Sequence, residues 1–433
     1  MSDSRRGIAM DSLLGPRNRL LLLVVAVGLL GGLVGAAFVG SLNLLERVLW
    51  PTHTSTGIHL LILVGVGISV GVLTHVLGTP GDVELLVNNI HVLGGAEDIR
   101  DLKSLIPVSL LCIASGGGMG PEAPLVQTTG GLGSWLAARW RVSVVDTRIL
   151  TITGMAAGFT VLFGAPLGSA LFALEILHRR GLEYYEALLP AVVGSLSGYS
   201  INLVVRRLGV TPIWKFPPLG QVHQVDLLWG VACGVVGAIL AVAFTYETRA
   251  LQWAFRHLAP ALRPVAGGVA LGALAFWSPY ALTFGEAQIN GLLVTKAATG
   301  ALAVAVLAKL CGTTVTLSSG WRGGFIIPLF FMGVALGRLG HLLVPGTNEV
   351  VLMAALMAAA NCGVTKTPLG STLVVAEMAG LRLVPPVLIA SMVALFLTSQ
   401  VGIIHTQRER EGAYESGLDR GEEMHPTDGE ARA

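Results

Sequence analysis

Residues 120–127 read Gly-Pro-Glu-Ala-Pro-Leu-Val-Gln, and this stretch decides the fold. Pro124 is favoured in the first turn of a helix, and Gly120 lets another stretch of backbone approach closely. The carboxylate of Glu122 therefore falls at a helix N-terminus, where free N–H groups and the helix dipole favour negative charge. Either this carboxylate or a permeant anion can occupy such a position. An ordinary helix cap would look the same, although an ionisable residue between apolar flanks at membrane depth is expected to be functional.

A second stretch contains the same kind of glycine- and proline-rich helix start, but without an acidic residue. Residues 323–328 read Gly-Gly-Phe-Ile-Ile-Pro, so Pro328 predicts another helix start preceded by exposed backbone. The N–H groups of Phe325 and Ile326 are expected to point at an anion. Neutral amides suit a conduit, because a full positive charge would hold the ion too tightly for release.

The chain is an internal duplication. Residues 164–175 read Gly-Ala-Pro-Leu-Gly-Ser-Ala-Leu-Phe-Ala-Leu-Glu, and residues 366–377 read Lys-Thr-Pro-Leu-Gly-Ser-Thr-Leu-Val-Val-Ala-Glu. The separation between these two stretches is nearly the separation between Pro124 and Pro328. Repeats with interrupted apolar segments at matching places predict a transporter or channel whose site lies where broken helices meet near the midplane.

Composition indicates a membrane protein. The chain has 433 residues, of which 53% are hydrophobic and 12% charged, whereas soluble proteins carry about 25% charged residues. A net charge of +2 excludes a polybasic nucleic-acid binder. The four cysteines have no close Cys or His partner in sequence, which argues against a zinc site or a disulfide framework. We expect neither a cofactor nor a metal.

These observations predict an all-α multi-pass membrane protein with an inverted-topology repeat and broken, re-entrant helices. The predicted divisions are a cytoplasmic N-terminal segment at 1–18, a membrane domain at 19–405 and a charged, disordered cytoplasmic tail at 406–433. Within the membrane domain, repeat one covers about 19–208 and repeat two about 225–405, as expected for halves of similar length.

The motifs resemble those of the CLC chloride channels and proton-coupled chloride antiporters. The resemblance rests on 120–127, on 323–328 and on the helix starts at Pro166 and Pro368, and it covers roughly 20–406. It implies the CLC fold without CBS domains, a lipid bilayer as surroundings, and chloride or other small anions, with or without protons, as the transported species. It also implies a homodimer in which each subunit holds its own pore.

The resemblance assigns roles to residues around the central site. Glu122 matches the gating glutamate, whose ionised side chain mimics an anion, and Gly120 and Ala123 flank it as anion contacts. Phe325 and Ile326 match the positions whose backbone amides coordinate the central anion.

Two further positions depart from the family pattern. Pro80, preceded by Thr79, stands where the family's first motif has a serine that contacts the anion. Proline has no donor, and relatives with proline there prefer nitrate. His405 stands where the family has a late tyrosine; an imidazole N–H can donate instead and would add pH sensitivity, although a helix-end residue facing water is an equal alternative.

A third departure concerns protons. Antiporters of the family carry a second acid near the end of the first Ala-Pro-Leu helix, but Ile176 occupies that position and Glu175 precedes it. Because one residue turns a helical side chain by about 100°, Glu175 is expected to face elsewhere, in a polar or packing role shared with Glu377. The sequence therefore favours passive, gated anion conduction. The alternatives are a proton-coupled anion antiporter and, more remotely, an intramembrane enzyme, for which we find no nucleophile–base pair.

The N-terminal charges predict the orientation. Arg5, Arg6, Arg17 and Arg19 precede the first long apolar run, so the positive-inside rule places the N-terminus in the cytoplasm. With cytoplasmic termini and a prokaryotic-type resemblance, we expect the inner (plasma) membrane of a prokaryote.

Overall fold

A computed structural model describes residues 16–50, 55–81, 83–97, 102–180, 182–206, 213–295 and 297–409. These residues form sixteen α-helices, three short 3-10 helices and two short strands. The predicted N-terminal segment and residues 410–433 of the predicted tail lie almost entirely outside the described residues.

The helices divide into two sets of eight. The first set is α1 (Pro16–Leu49), α2 (Thr56–Leu77), α3 (Val83–Val92), α4 (Leu102–Ala114), α5 (Glu122–Trp140), α6 (Val144–Phe163), α7 (Pro166–Glu175) and α8 (Leu188–Arg206). The second set is α9 (Gln224–Phe255), α10 (Arg263–Trp277), α11 (Glu286–Val294), α12 (Thr299–Ser318), α13 (Ile326–Leu343), α14 (Glu349–Thr365), α15 (Pro368–Ala379) and α16 (Val384–Leu397).

The packing of the two sets is equivalent. Helix α5 packs against α6 as α13 packs against α14, and α1 packs against α8 as α9 packs against α16. Helices α2 and α10 pack against each other across the two sets, as do α7 and α15. The chain is an all-α membrane protein built from an inverted repeat, as the duplication predicted.

Seven of the described helices are long and apolar enough to cross a membrane. Others are short because their sequences break them. Helix α6 ends at Phe163 and is capped by Gly164, whose φ of 63° is left-handed, and α7 begins at Pro166. In the second repeat, Lys366 takes the same left-handed conformation, with φ 65°. Its ammonium group, bound to the carbonyl oxygens of Gly363 and Thr398, is held inside the protein.

Glu175 and Glu377 join the two short helices. The carboxylate of Glu175 accepts hydrogen bonds from the amides of Leu369 (3.1 Å) and Gly370 (2.6 Å), in the first turn of α15. Glu377 accepts one from the amide of Gly168 (2.6 Å), in the first turn of α7. The prediction of a polar role shared by these two acids is confirmed.

The first residues of the predicted tail contact the membrane domain. Residues Arg408–Glu409 form strand β2, which pairs in parallel with β1 (His178–Arg180). The side-chain amide of Gln407 donates to the carbonyl oxygens of Ile176 (2.9 Å) and Thr365 (2.8 Å). Counting charges missed this segment because its contacts are made by backbone and by a neutral amide.

Candidate functional site

Glu122 lies at the N-terminus of one repeat's helix and is bound by the N-terminus of the other's. It is the first residue of α5, and its side chain is buried, with 1% of the residue exposed. Its Oε1 accepts a hydrogen bond of 2.5 Å from the amide of Ile327, in the first turn of α13. The carboxylate therefore occupies the place where the sequence predicted an anion, at the positive end of a helix dipole.

Glycines bring the two helix starts together. Gly120 and Gly324 form an isolated antiparallel bridge, with N–H···O distances of 2.8 and 2.6 Å. A side chain at position 324 would overlap the Glu122 carboxylate, so only glycine permits this approach. Within the bridge, the amide of Gly120 donates to the carbonyl of Gly324.

A small cavity lies on one side of the Glu122 carboxylate. Its volume is about 20 Å³, and Glu122, Ala123, Phe325 and Ile326 share its wall with apolar side chains that include Ile176. The structure thus brings together four of the predicted site residues. Ile176 faces the cavity from the end of α7, at the place predicted for a proton relay.

A larger cavity of about 230 Å³ lies on the other side of Ala123 and Phe325, which line both cavities. Polar and charged side chains line it at several points, namely Glu84, Gln127, Gln252, Arg322 and His405. Gln127 is buried, and its side-chain oxygen has no hydrogen-bond partner among the described residues.

The remaining predicted residues are placed as follows. His405 is exposed and lines the larger cavity, where its backbone N–H donates to Glu84 Oε1 at 3.0 Å. Pro80 is buried and Thr79 is exposed, and neither lines either cavity, although the neighbouring Gly81 lines the larger one.

Sequence reasoning missed two contributors to the site. Ile327, whose amide binds Glu122, directly follows Phe325 and Ile326, whose amides were predicted to face an anion. The sequence locates a helix start only to within a residue or two, so it cannot tell which of these three amides is the one that binds. Arg322 directly precedes the second glycine stretch, so its position next to a predicted anion site was a usable signal.

The arrangement has the chemistry of an anion gate. When ionised, the Glu122 carboxylate occupies the Ile327 amide that an anion would otherwise bind. When protonated, it loses the charge that attracts it to the N-terminus of α13. An anion of similar size can then replace it.

Comparisons with known proteins agree with this geometry. A family profile described as "Voltage gated chloride channel" matches residues 89–399. A protein of Pseudomonas syringae named "Chloride/fluoride channel protein" is 29% identical over 426 residues, covering 94% of this chain and 90% of the relative. A protein of Escherichia coli named "Voltage-gated ClC-type chloride channel ClcB" is 28% identical over 68% of this chain and 71% of its own length.

Two solved structures share the fold. A slow cyanobacterial Cl⁻/H⁺ antiporter superposes with a TM-score of 0.77 at 21% identity, covering 94% of this chain and 98% of that one. A CLC-type fluoride/proton antiporter superposes with a TM-score of 0.78 at 23% identity, covering 90% and 98%. The profile match, together with two helix starts that meet at a single buried carboxylate, shows that this chain belongs to the voltage-gated chloride channel family, the CLC family.

Proposed function

We propose that the protein transports small inorganic anions across a membrane through one gated pore in each subunit. The observation that carries this proposal is the hydrogen bond from the Ile327 amide to Glu122. A carboxylate bound there imitates a bound anion, because both are negative acceptors that fit a helix N-terminus. The anions would pass between the two cavities by displacing this side chain.

Passive conduction is the first candidate for the mode of transport. Ile176 lies on the small cavity beside Glu122, where an acid would be needed to relay protons, and an isoleucine cannot carry one. Proton-coupled exchange of chloride or nitrate is the second candidate. It is favoured by the two solved structures of the same fold, both described as antiporters.

The ion that the pore prefers is a separate part of the proposal. Proline at position 80 supplies no donor, so selectivity for chloride would depend on the amides of α13. We therefore propose that nitrate competes well with chloride. The relatives' names add fluoride as a third candidate.

We further propose a homodimer in the inner membrane of a prokaryote with cytoplasmic termini. Helices α8 and α16 occupy equivalent places in the two repeats and present exposed apolar side chains, such as Leu189 (76%) and Phe396 (80%). Such faces suit lipid or a second copy of the chain. Light scattering of the purified protein in detergent should give twice the subunit mass, and a monomer would contradict this part of the proposal.

Anion release from liposomes tests the proposed function. Liposomes containing the purified protein and potassium chloride should release chloride when a potassium ionophore is added, because the ionophore removes the opposing voltage. Protein-free liposomes are the control. If the two preparations release chloride at the same rate, the protein does not transport chloride.

A further inference from the structure

An apolar groove lies on the outside of α5, the helix that begins with Glu122. Its volume is about 300 Å³, and it lies where α1, α4 and α5 pack against one another. Five side chains line it, namely Val34 of α1, Leu102 of α4, and Thr128, Leu132 and Trp135 of α5. None of these residues lines either cavity beside Glu122, so the groove is separate from the anion site.

The side chains of the groove favour hydrocarbon over water. Its valine and two leucines are aliphatic, and the hydroxyl of Thr128 already donates to the carbonyl oxygen of Pro124 at 2.7 Å. A bound water typically makes about three hydrogen bonds, which these side chains cannot supply. Val34 lies at the middle of Asn18–Leu49, a helix long and apolar enough to cross a membrane. The groove is therefore at the depth of the lipid chains.

The groove follows one face of α5 towards the C-terminal end of that helix. Thr128, Leu132 and Trp135 are spaced by four and three residues, so they share a face over about 10 Å. Trp135 has 44% of its surface exposed, which opens the groove to the surroundings of the protein. Arg139 continues the same face about 6 Å further along the helix, and it is exposed. A chain lying in the groove therefore extends towards a cation.

Further cations lie around this end of the groove. Lys103 follows Leu102 in the first turn of α4 and is exposed. Arg19, near the start of α1, donates to the carbonyl oxygen of Trp140 at 2.6 Å, which holds the beginning of α1 at the end of α5. Arg141, the C-terminal cap of α5, is exposed as well. Together with the cation on the groove face, these side chains suit an anionic headgroup.

Glu97 and Asp146 are acids near the same end. The Glu97 carboxylate lies against Gly131 of α5, where an added Cβ would come within 2.8 Å of it. Asp146 accepts a hydrogen bond of 2.8 Å from the hydroxyl of Ser143 at the start of α6. The described residues at this end therefore still carry more positive than negative charge.

We infer that the groove binds one acyl chain of an anionic phospholipid, whose headgroup is held by Lys103 and Arg139. Such long side chains reach from apolar surface towards the interface, which lets them contact a phosphate. In the proposed orientation Arg19 is cytoplasmic, so the lipid belongs to the cytoplasmic leaflet, where anionic lipids collect. The chain packs against α5 from Thr128 onwards, about 9 Å from the start of the helix at Glu122. This lipid site does not depend on which anion passes Glu122.

Quenching of tryptophan fluorescence by brominated lipids tests this inference, because bromine on an acyl chain quenches an indole that it contacts. The full-length protein is reconstituted in phosphatidylcholine vesicles with a minor fraction of phosphatidylglycerol. Bromine is carried by the phosphatidylglycerol in one preparation and by an equal fraction of the phosphatidylcholine in the other. The difference between the wild type and Trp135→Phe isolates Trp135. We expect brominated phosphatidylglycerol to quench it several-fold more strongly, since each cation favours an anionic lipid by up to about fivefold.

Variants of the headgroup site and of the groove sharpen the test, each compared with and without Trp135→Phe. Lys103→Gln combined with Arg139→Gln should make the two brominated lipids equal quenchers of Trp135. Arg382→Gln, at an exposed arginine before α16, is the matched control and should keep the preference. Val34→Phe fills the groove and should reduce quenching by both lipids.

Trp277 reports ordinary contact with the bilayer. It lies at the end of α10 and is 51% exposed. The difference between the wild type and Trp277→Phe should therefore be the same for both brominated lipids.

Three results would overturn the inference. If the two brominated lipids quench Trp135 equally in the wild type, the groove holds ordinary bilayer lipid without recognition of the headgroup. If neither quenches Trp135, the groove is closed in the bilayer, by a second copy of the chain or by its own helices. If the variant lacking Lys103 and Arg139 keeps the preference, these cations do not hold the headgroup. Because fluorescence involves no ion flux, each result leaves the proposed anion transport standing, and chloride release tests that separately.

Discussion

Glu175 and Glu377 each bind the start of the helix that carries the other. Glu175, at the end of α7, accepts hydrogen bonds from the first turn of α15, and Glu377, near the end of α15, accepts one from the first turn of α7. Carboxylates at helix N-termini are favoured by the dipole and by the unpaired amides. The two repeats are therefore joined by a reciprocal pair of carboxyl caps close to the site.

This pairing predicts a stability effect. Glu175→Ala should lower the free energy of unfolding by about 2 kcal/mol, because two backbone amides of α15 lose their carboxyl acceptor. Glu377→Ala should act in the same direction. Thermal unfolding of the purified protein measures the change, with the exposed Glu186→Ala as control. If Glu175→Ala and the control unfold at the same temperature, the caps do not stabilise the junction between the repeats.

Pro80 predicts the anion preference. Pro80→Ser should raise chloride permeability relative to nitrate by several fold, because a hydroxyl would add a donor beside Gly81 at the mouth of the larger cavity. The reversal potential, measured as nitrate replaces chloride on one side, gives the ratio directly. A ratio equal to that of the wild type would mean that Pro80 does not stand at the position of the family's serine.

Ile176 predicts a difference in coupling. Ile176→Glu puts a carboxylate on the cavity that Glu122 shares, so an outward chloride gradient should drive more protons into liposomes than in the wild type. Ile176→Gln, whose side chain has the shape of glutamate but does not titrate, should not increase proton uptake. Equal proton movement in the two variants would exclude this cavity as the proton route.

Much of the fold was predictable from local signals. Glycine and proline at 120–124 and 323–328 mark the starts of α5 and α13, and the repeated sequence placed α7 and α15 in equivalent roles. The carboxylate at the helix start was predicted for the same reason: Glu122 is the acid of the Gly-Pro-Glu-Ala-Pro helix start. These features depend on residues that are close together in the chain.

The contacts that could not be predicted join distant residues. Nothing near Gly120 in sequence indicates that its amide will bind Gly324. Likewise, nothing near His178 indicates that its ring will lie beside the ring of His91. The strand at Arg408–Glu409 was hidden by the charge of its neighbours. The backbone amide of His405 binds Glu84, which is far away in the sequence. Thr79 and Pro80 lie between α2 and α3, and Asp82, which follows them in the sequence, is outside the described residues.

Glu122→Gln tests the central claim most directly. A neutral amide cannot act as a tethered anion, so the variant should keep anion flux and lose its dependence on pH. Chloride release from liposomes at several pH values, with the potassium ionophore present, measures both properties in one experiment. We predict equal release by Glu122→Gln at every pH and a rising wild-type rate as the pH falls. A variant whose release still rises with acid, in parallel with the wild type, would contradict the account.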